Sequence, residues 1–142
     1  SMVPMQNHTI VNDKSLSDLV REKKISEDKL KSIIERTKNG GAEIGKLLEK
    51  SSAYYAPAAS GIEMAESYLR NQKKLLPCAA YLSGEYGVKN LYAGVPVIIG
   101  ASGVEKVIEL KLSNEEKESF RQSIKAVEDL FSAAKKIDAS LN

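Results

Sequence analysis

Residues 75–112 read LLPCAAYLSGEYGVKNLYAGVPVIIGASGVEKVIELKL, and here the apolar periodicity of the chain changes from helical to extended. Leu75 to Leu82 is a continuous apolar run between Lys73-Lys74 and Ser83-Gly84, which predicts a buried strand. Leu91 to Gly100 predicts a second. Val104 to Leu112 predicts a third, in which Ile108, Leu110 and Leu112 alternate with Glu109 and Lys111. Ala101-Ser102-Gly103 is a tight hairpin, so the last two strands are expected to be antiparallel. Pro96 lacks an amide hydrogen, and that position is expected to face away from the ladder.

Helices are expected on both sides of this region. Ser15 to Lys23 reads as a short one, with Leu16, Leu19 and Val20 on one side. A second starts at Ser26, whose hydroxyl can cap free amides, with Glu27 and Asp28 in the first turn where the dipole favours them. Its apolar face runs Leu30, Ile33, Ile34, Thr37, Gly41, Ile44, Leu47, Leu48. Asn39-Gly40-Gly41 interrupts it, at about 1 kcal/mol per glycine relative to alanine, and predicts a bend or a close approach to the backbone. A third helix is expected from Pro57 to Arg70, with Ile62, Ala65 and Leu69 facing inward. Ser113-Asn114-Glu115-Glu116 is a capping box, and Phe120, Ile124, Val127, Phe131, Ala134, Ile137 and Leu141 follow as one stripe. Helices packed on a mainly antiparallel sheet, with a long C-terminal helix, make the fold class α+β.

The 142 residues suit one domain, and 42% apolar with 28% charged content is ordinary for a globular chain. With 21 basic against 19 acidic residues, no field of one sign exists to hold nucleic acid or an anionic membrane. The apolar run Ala93 to Ala101 is too short to span a bilayer. A single cysteine cannot form an internal disulfide, and no secretory leader opens the sequence, so the cytoplasm is the expected compartment. One histidine cannot supply a multi-histidine metal site, and no metal is expected.

Candidate chemistry is sparse. His8 lies in a polar stretch with no carboxylate before Asp13 to orient it, and reads as a surface histidine. Cys78, in an apolar run without a cationic neighbour, reads as a buried inert thiol. Gly100 to Lys106 lacks the glycine spacing of the dinucleotide and phosphate loops and precedes a strand, so it reads as a hairpin. The pairs Lys23-Lys24, Lys73-Lys74 and Lys135-Lys136 have acids nearby and read as solvated faces. Glu85 and Tyr86 read as local turn structure. Gly40-Gly41-Ala42 and Ala53 to Ser60 both place small residues where helices ordinarily carry leucine. Tight helix packing and a wall beside a planar ligand remain equal readings of that pattern.

Several stretches taken in order carry a resemblance: MVP at 2–4, RTKNGGAEI at 36–44, YAPAAS at 55–60, IEMAESYL at 62–69, LPCAAYLSGEYGV at 76–88 and GVPVIIG at 94–100. The series resembles the carboxy-terminal half of NAD-dependent malate dehydrogenases, in the bacterial branch that is similar to lactate dehydrogenases. The resemblance runs from Met2 to the last helix without a gap. It implies that residues 1–142 are the substrate domain, and that the Rossmann domain with its glycine fingerprint is not among them.

The family's catalytic histidine lies immediately upstream of Met-Val-Pro. Its orienting aspartate and the carboxylate-clamping arginines lie further upstream. On this resemblance no catalytic residue falls within the chain, and His8, after Met2-Val3-Pro4, does not inherit that role. Ser1 is either the residue after the aspartate of the family's Gly-His-Gly-Asp stretch, in which that histidine lies, or an addition. Positions matching Gly41, Ala53 and Pro57 line the substrate and nicotinamide pocket in the family, which favours the ligand-wall reading within a whole enzyme. The implied reaction is (S)-malate to oxaloacetate with NAD in the tricarboxylic acid cycle, in a homo-oligomer. The same domain of an L-lactate dehydrogenase, or a free-standing interaction module without catalysis, are the alternatives.

Overall fold

In a computed structural model of the protein, which describes residues 2–141, the order of elements is β1 (Ile10–Val11), β2 (Lys14–Ser15), α1 (Leu16–Arg21), α2 (Glu27–Leu48), α3 (Tyr55–Leu69), β3 (Lys74–Ser83), β4 (Lys89–Gly100), β5 (Gly103–Val107) and α4 (Asn114–Ile137). Ser1, whose origin the sequence leaves open, lies outside the described residues. Two compact units result, one of residues 1–53 with 112–123 and the other of residues 54–111 with 124–142. The fold is the expected α+β type.

In the second unit β3, β4 and β5 form an antiparallel sheet in that order, with Gly100 paired to Gly103 across the turn Ala101-Ser102. Gly103 has φ +84°, a conformation glycine adopts without strain. The hairpin expectation is met. The β3 run is not buried on both faces, however. Ala80 and Leu82 face the core, whereas Leu75 (57% exposed) and Tyr81 (49%) point outward. The reason is the hairpin topology of an antiparallel sheet, in which α3 packs on β4 and alternate β3 side chains turn to the other face.

Helix α3 begins at Tyr55 rather than Pro57, which leaves Pro57 in the first turn, where its missing amide costs nothing. Its inward face differs from the expected one. Ile62 and Leu69 are 68% and 78% exposed, and Ser67 is fully buried. The Ser67 hydroxyl donates to the Ile99 carbonyl at 2.7 Å and accepts from the Lys74 amide at 3.2 Å. Those two bonds require the serine face, and not the leucine face, to meet the strands.

Pro77 and Pro96 stand opposite each other in the β3–β4 ladder. Ile108 donates its amide to the Pro96 carbonyl at 2.8 Å, so the polar backbone of Pro96 points away from β3. Continuing the register that pairs Val97 with Val107 sets Pro96 opposite Ile108. A residue with an amide hydrogen would there donate back to the Ile108 carbonyl. The Tyr86 hydroxyl does so instead, at 2.8 Å, and accepts from the Leu110 amide at 2.9 Å. The third strand therefore ends at Val107, short of the expected Leu112, because a side chain takes over from the ladder. The alternation persists beyond it, with Leu112 buried and Glu109 and Lys111 exposed.

In the first unit Ser15 and Ser26 cap α1 and α2 through hydroxyls that accept from the Asp18 and Lys29 amides. Helix α2 runs through Asn39-Gly40-Gly41 without a break, so the two glycines do not interrupt it. Its apolar stripe contains no buried residue. Helix α4 starts from the expected capping box. Ser113 Oγ accepts from the Glu116 amide at 3.2 Å, and Glu116 Oε2 accepts from the Ser113 amide at 2.9 Å. Glu116 Oε1 also accepts from the Asn7 amide at 3.4 Å. Burial pushes the Glu116 carboxyl up, but the Ser113 and Asn7 hydrogen bonds outweigh it and hold the group below its ordinary value.

Two outcomes follow from these contacts. Tyr86→Phe leaves the Ile108 carbonyl and Leu110 amide without that partner and is expected to cost about 1–3 kcal/mol in urea unfolding. Adding Pro96→Ala restores a donor to Ile108 and should recover part of the loss; a strictly additive double variant would refute the exchange. Glu116→Ala should cost about 1 kcal/mol at neutral pH. Because the folded-state carboxyl is lowered, its stabilisation is present above the ordinary carboxylate pKa and lost as pH falls through the folded value. The gap between wild type and variant should therefore close on acidification, and a constant gap would contradict it.

Candidate functional site

Of the three positions marked for a pocket wall, Gly41 sits in mid α2, Ala53 follows that helix half-buried, and Pro57 occupies the exposed first turn of α3. Gly41 and Ala53 belong to the first unit and Pro57 to the second. A Cβ built on Gly40 or Gly41 would meet nothing within 4 Å. Neither glycine is required by packing inside this chain, and each keeps open space over its helix face.

That face has a defined polar edge. Arg36 reaches along α2 to Glu43 in a bidentate pair, with Nε to Oε2 at 3.0 Å and Nη2 to Oε1 at 2.8 Å. The pair raises the Arg36 pKa and lowers that of Glu43 through the shared hydrogen bonds and charge. With Ile33, Thr37, Gly40 and Ile44 these two line a groove of about 350 Å³. The arrangement is a shallow surface with an exposed, ion-paired guanidinium at its rim. It offers shape and orientation. Residues 36 and 43, seven apart, lie on one helix face, a spacing that could have marked the pair in the sequence.

Proton-transfer groups are not gathered there. His8 is exposed in a short 3-10 turn, Gln6–His8. Cys78 is half-buried rather than buried, its Sγ lies 3.3 Å from Met64 Sδ, and burial pushes the thiol up, away from the reactive thiolate. Lys24 pairs with Glu22, Lys73 with Glu105 and Lys74 with Glu63, at 3.4–3.5 Å, as solvated faces do. Among the described residues no three His, Cys, Asp or Glu side chains are placed to hold a metal ion. Nor is any described helix long and apolar enough to cross a membrane. Glu116, read only as part of a capping box, Tyr86, read as local turn structure, and Ser67, not singled out, carry polar contacts between distant segments.

Comparison with known proteins supplies what geometry alone does not. The lactate/malate dehydrogenase α/β C-terminal domain family matches residues 1–137. The chain is 58% identical to malate dehydrogenase of Pelagibacter ubique over all of its length, and 51% identical to that of Caulobacter vibrioides over 99% of it. It spans 44% of each of those relatives. A crystal structure of Cryptosporidium parvum malate dehydrogenase superimposes with a TM-score of 0.91 at 41% identity, over 94% of this chain and 42% of that one. Lactate dehydrogenase from Eimeria maxima, solved with NADH and oxamate, gives 0.91 at 40% identity, over 96% and 42%. A match that takes in every element from β1 to α4 leaves one assignment: the chain belongs to the lactate/malate dehydrogenase family, as its α/β C-terminal domain.

Proposed function

We propose that these residues are the substrate domain of an NAD-dependent malate dehydrogenase, whose whole enzyme oxidises (S)-malate to oxaloacetate. The observation that carries this reading is identity to two malate dehydrogenases at 58% and 51% across essentially the whole chain. The similarity to the Eimeria maxima lactate dehydrogenase, 40% identical, supports L-lactate dehydrogenase as the second reading. Under the first, the enzyme is a cytoplasmic homo-oligomer of the tricarboxylic acid cycle.

The phosphate-bearing half of NAD finds no fit here. The larger sheet is antiparallel, and its glycine turn at 100–103 opens a strand, whereas pyrophosphate needs a glycine turn opening a helix. The open face over Gly40 and Gly41, where an added Cβ meets nothing within 4 Å, is compatible with a flat nicotinamide ring and supports that part of the reading. NAD, when bound by the whole enzyme, supplies the hydride acceptor. In the family, positions matching Gly41, Ala53 and Pro57 lie beside the ring and substrate, and this reading gives each the same task here, a small side chain that leaves room and moves no proton. The proton acceptor, and the arginines that clamp the substrate, belong to family segments preceding Met2.

Two measurements test this. The 142-residue chain by itself should form no NADH from malate and NAD, for want of a base and a nucleotide site, whereas the whole enzyme should; turnover by the chain alone would end the proposal. Gly41→Ala should raise helix stability by about 0.5–1 kcal/mol, since it meets no atom and gains propensity. In the whole enzyme the same change should lower kcat/KM by roughly tenfold, the kinetic equivalent of about 1.4 kcal/mol. Gained stability with kcat/KM unchanged would remove Gly41 from the wall.

A further inference from the structure

Adjacent glycines are where a helix kinks most readily, because they give up helix propensity and offer no side chain to hold successive turns together. In α2 packing does not make up for Gly40 and Gly41. No residue of the helix is buried, and a Cβ built on Gly40, Gly41 or Gly45 meets nothing within 4 Å. Thr37 donates back to the Ile33 carbonyl at 2.8 Å, and Asn39 to the Glu35 carbonyl at 2.9 Å. Both of those bonds end before Gly40. The Arg36–Glu43 pair crosses the two glycines, bonded by Nε to Oε2 and by Nη2 to Oε1. Two parallel bonds between planar groups fix direction as well as distance, which a single ammonium contact does not.

Resting on the reading above, in which Gly41 and Ala53 belong to the pocket wall, we infer that Arg36 and Glu43 are positioning residues. Their pair splints α2 across Gly40 and Gly41, and so sets where Gly41 and Ala53 stand. Glycine gives room at position 41, and the splint restores the rigidity that glycine removes. From Gly41 the helix continues to Leu48, roughly 10 Å at 1.5 Å per residue, so a kink of about 20° displaces that end by about 3–4 Å. Ala53 follows shortly after, in the same compact unit, and is carried with it. A misplacement of about 1 Å is already enough to slow an enzyme strongly. Exposed pairs contribute little to global stability, so the splint acts locally, on the wall.

The test is made in the whole dehydrogenase carrying these residues, with malate and NAD as substrates. Arg36→Ala and Glu43→Ala should each lower kcat/KM about tenfold, and the double variant no further, because either change breaks the same splint. The thermal midpoint should shift little in all three. Arg36→Glu combined with Glu43→Arg rebuilds the pair in reverse and should bring kcat/KM back to within about twofold of wild type. The amides of Gly41 to Gly45 should exchange faster in Arg36→Ala and regain protection in the reversed pair. Wild-type kcat/KM in Glu43→Ala would overturn the positioning role. So would a loss in Arg36→Ala that the reversed pair fails to rescue, since Arg36 would then act through its own charge and not through Glu43. An unsubstituted enzyme forming no NADH from malate would instead overturn the dehydrogenase reading itself, and the positioning role with it.

Discussion

A single hydroxyl determines how the second unit is put together. Ser67 is fully buried, yet its oxygen is satisfied twice, as donor to Ile99 in the central strand and as acceptor from Lys74 at the start of β3. An unsatisfied buried hydroxyl would cost a few kcal/mol, so the helix can lie only where both partners are met. That constraint rotates α3, brings its serine to the sheet and turns Ile62 and Leu69 outward. Periodicity weighs apolar area and predicts the opposite face. Two hydrogen bonds on one buried hydroxyl outweigh that preference.

The parts of the fold legible in the sequence are those set by near neighbours. The capping serines at 26 and 113 and the Gly103 hairpin depend on residues within a few positions of one another. What escaped depends on pairs far apart. The end of the third strand is decided by Pro96, which withholds a hydrogen from Ile108, and by Tyr86, which supplies one. Each residue looks ordinary in its local context. Only the register makes them complementary.

The candidate site divides along the same line. Gly40, Gly41 and Ala42 were visible as small residues on a helix face, and the helix continues through them despite their low propensity. No described atom lies within 4 Å of a Cβ built on Gly40 or Gly41, so contacts within the chain give these glycines no packing role. The Arg36–Glu43 pair depends on side chains reaching over two helical turns, and its spacing is shared by many solvated pairs. Family resemblance, not physical pattern, directs attention to Gly41, Ala53 and Pro57.

The opposed prolines have one more consequence. With the backbone of Pro96 aimed away from β3, that of its partner Pro77 is aimed away from β4, towards the open margin of the sheet. Strand β3 is ten residues long and, among the described residues, has no strand paired on that side, which makes it a template for a foreign strand. Pro77 deletes a donor near the middle of that template, so no incoming segment can form a continuous ladder along it. The residue that seems an oddity inside an apolar strand thus guards the chain against aggregation from its own edge.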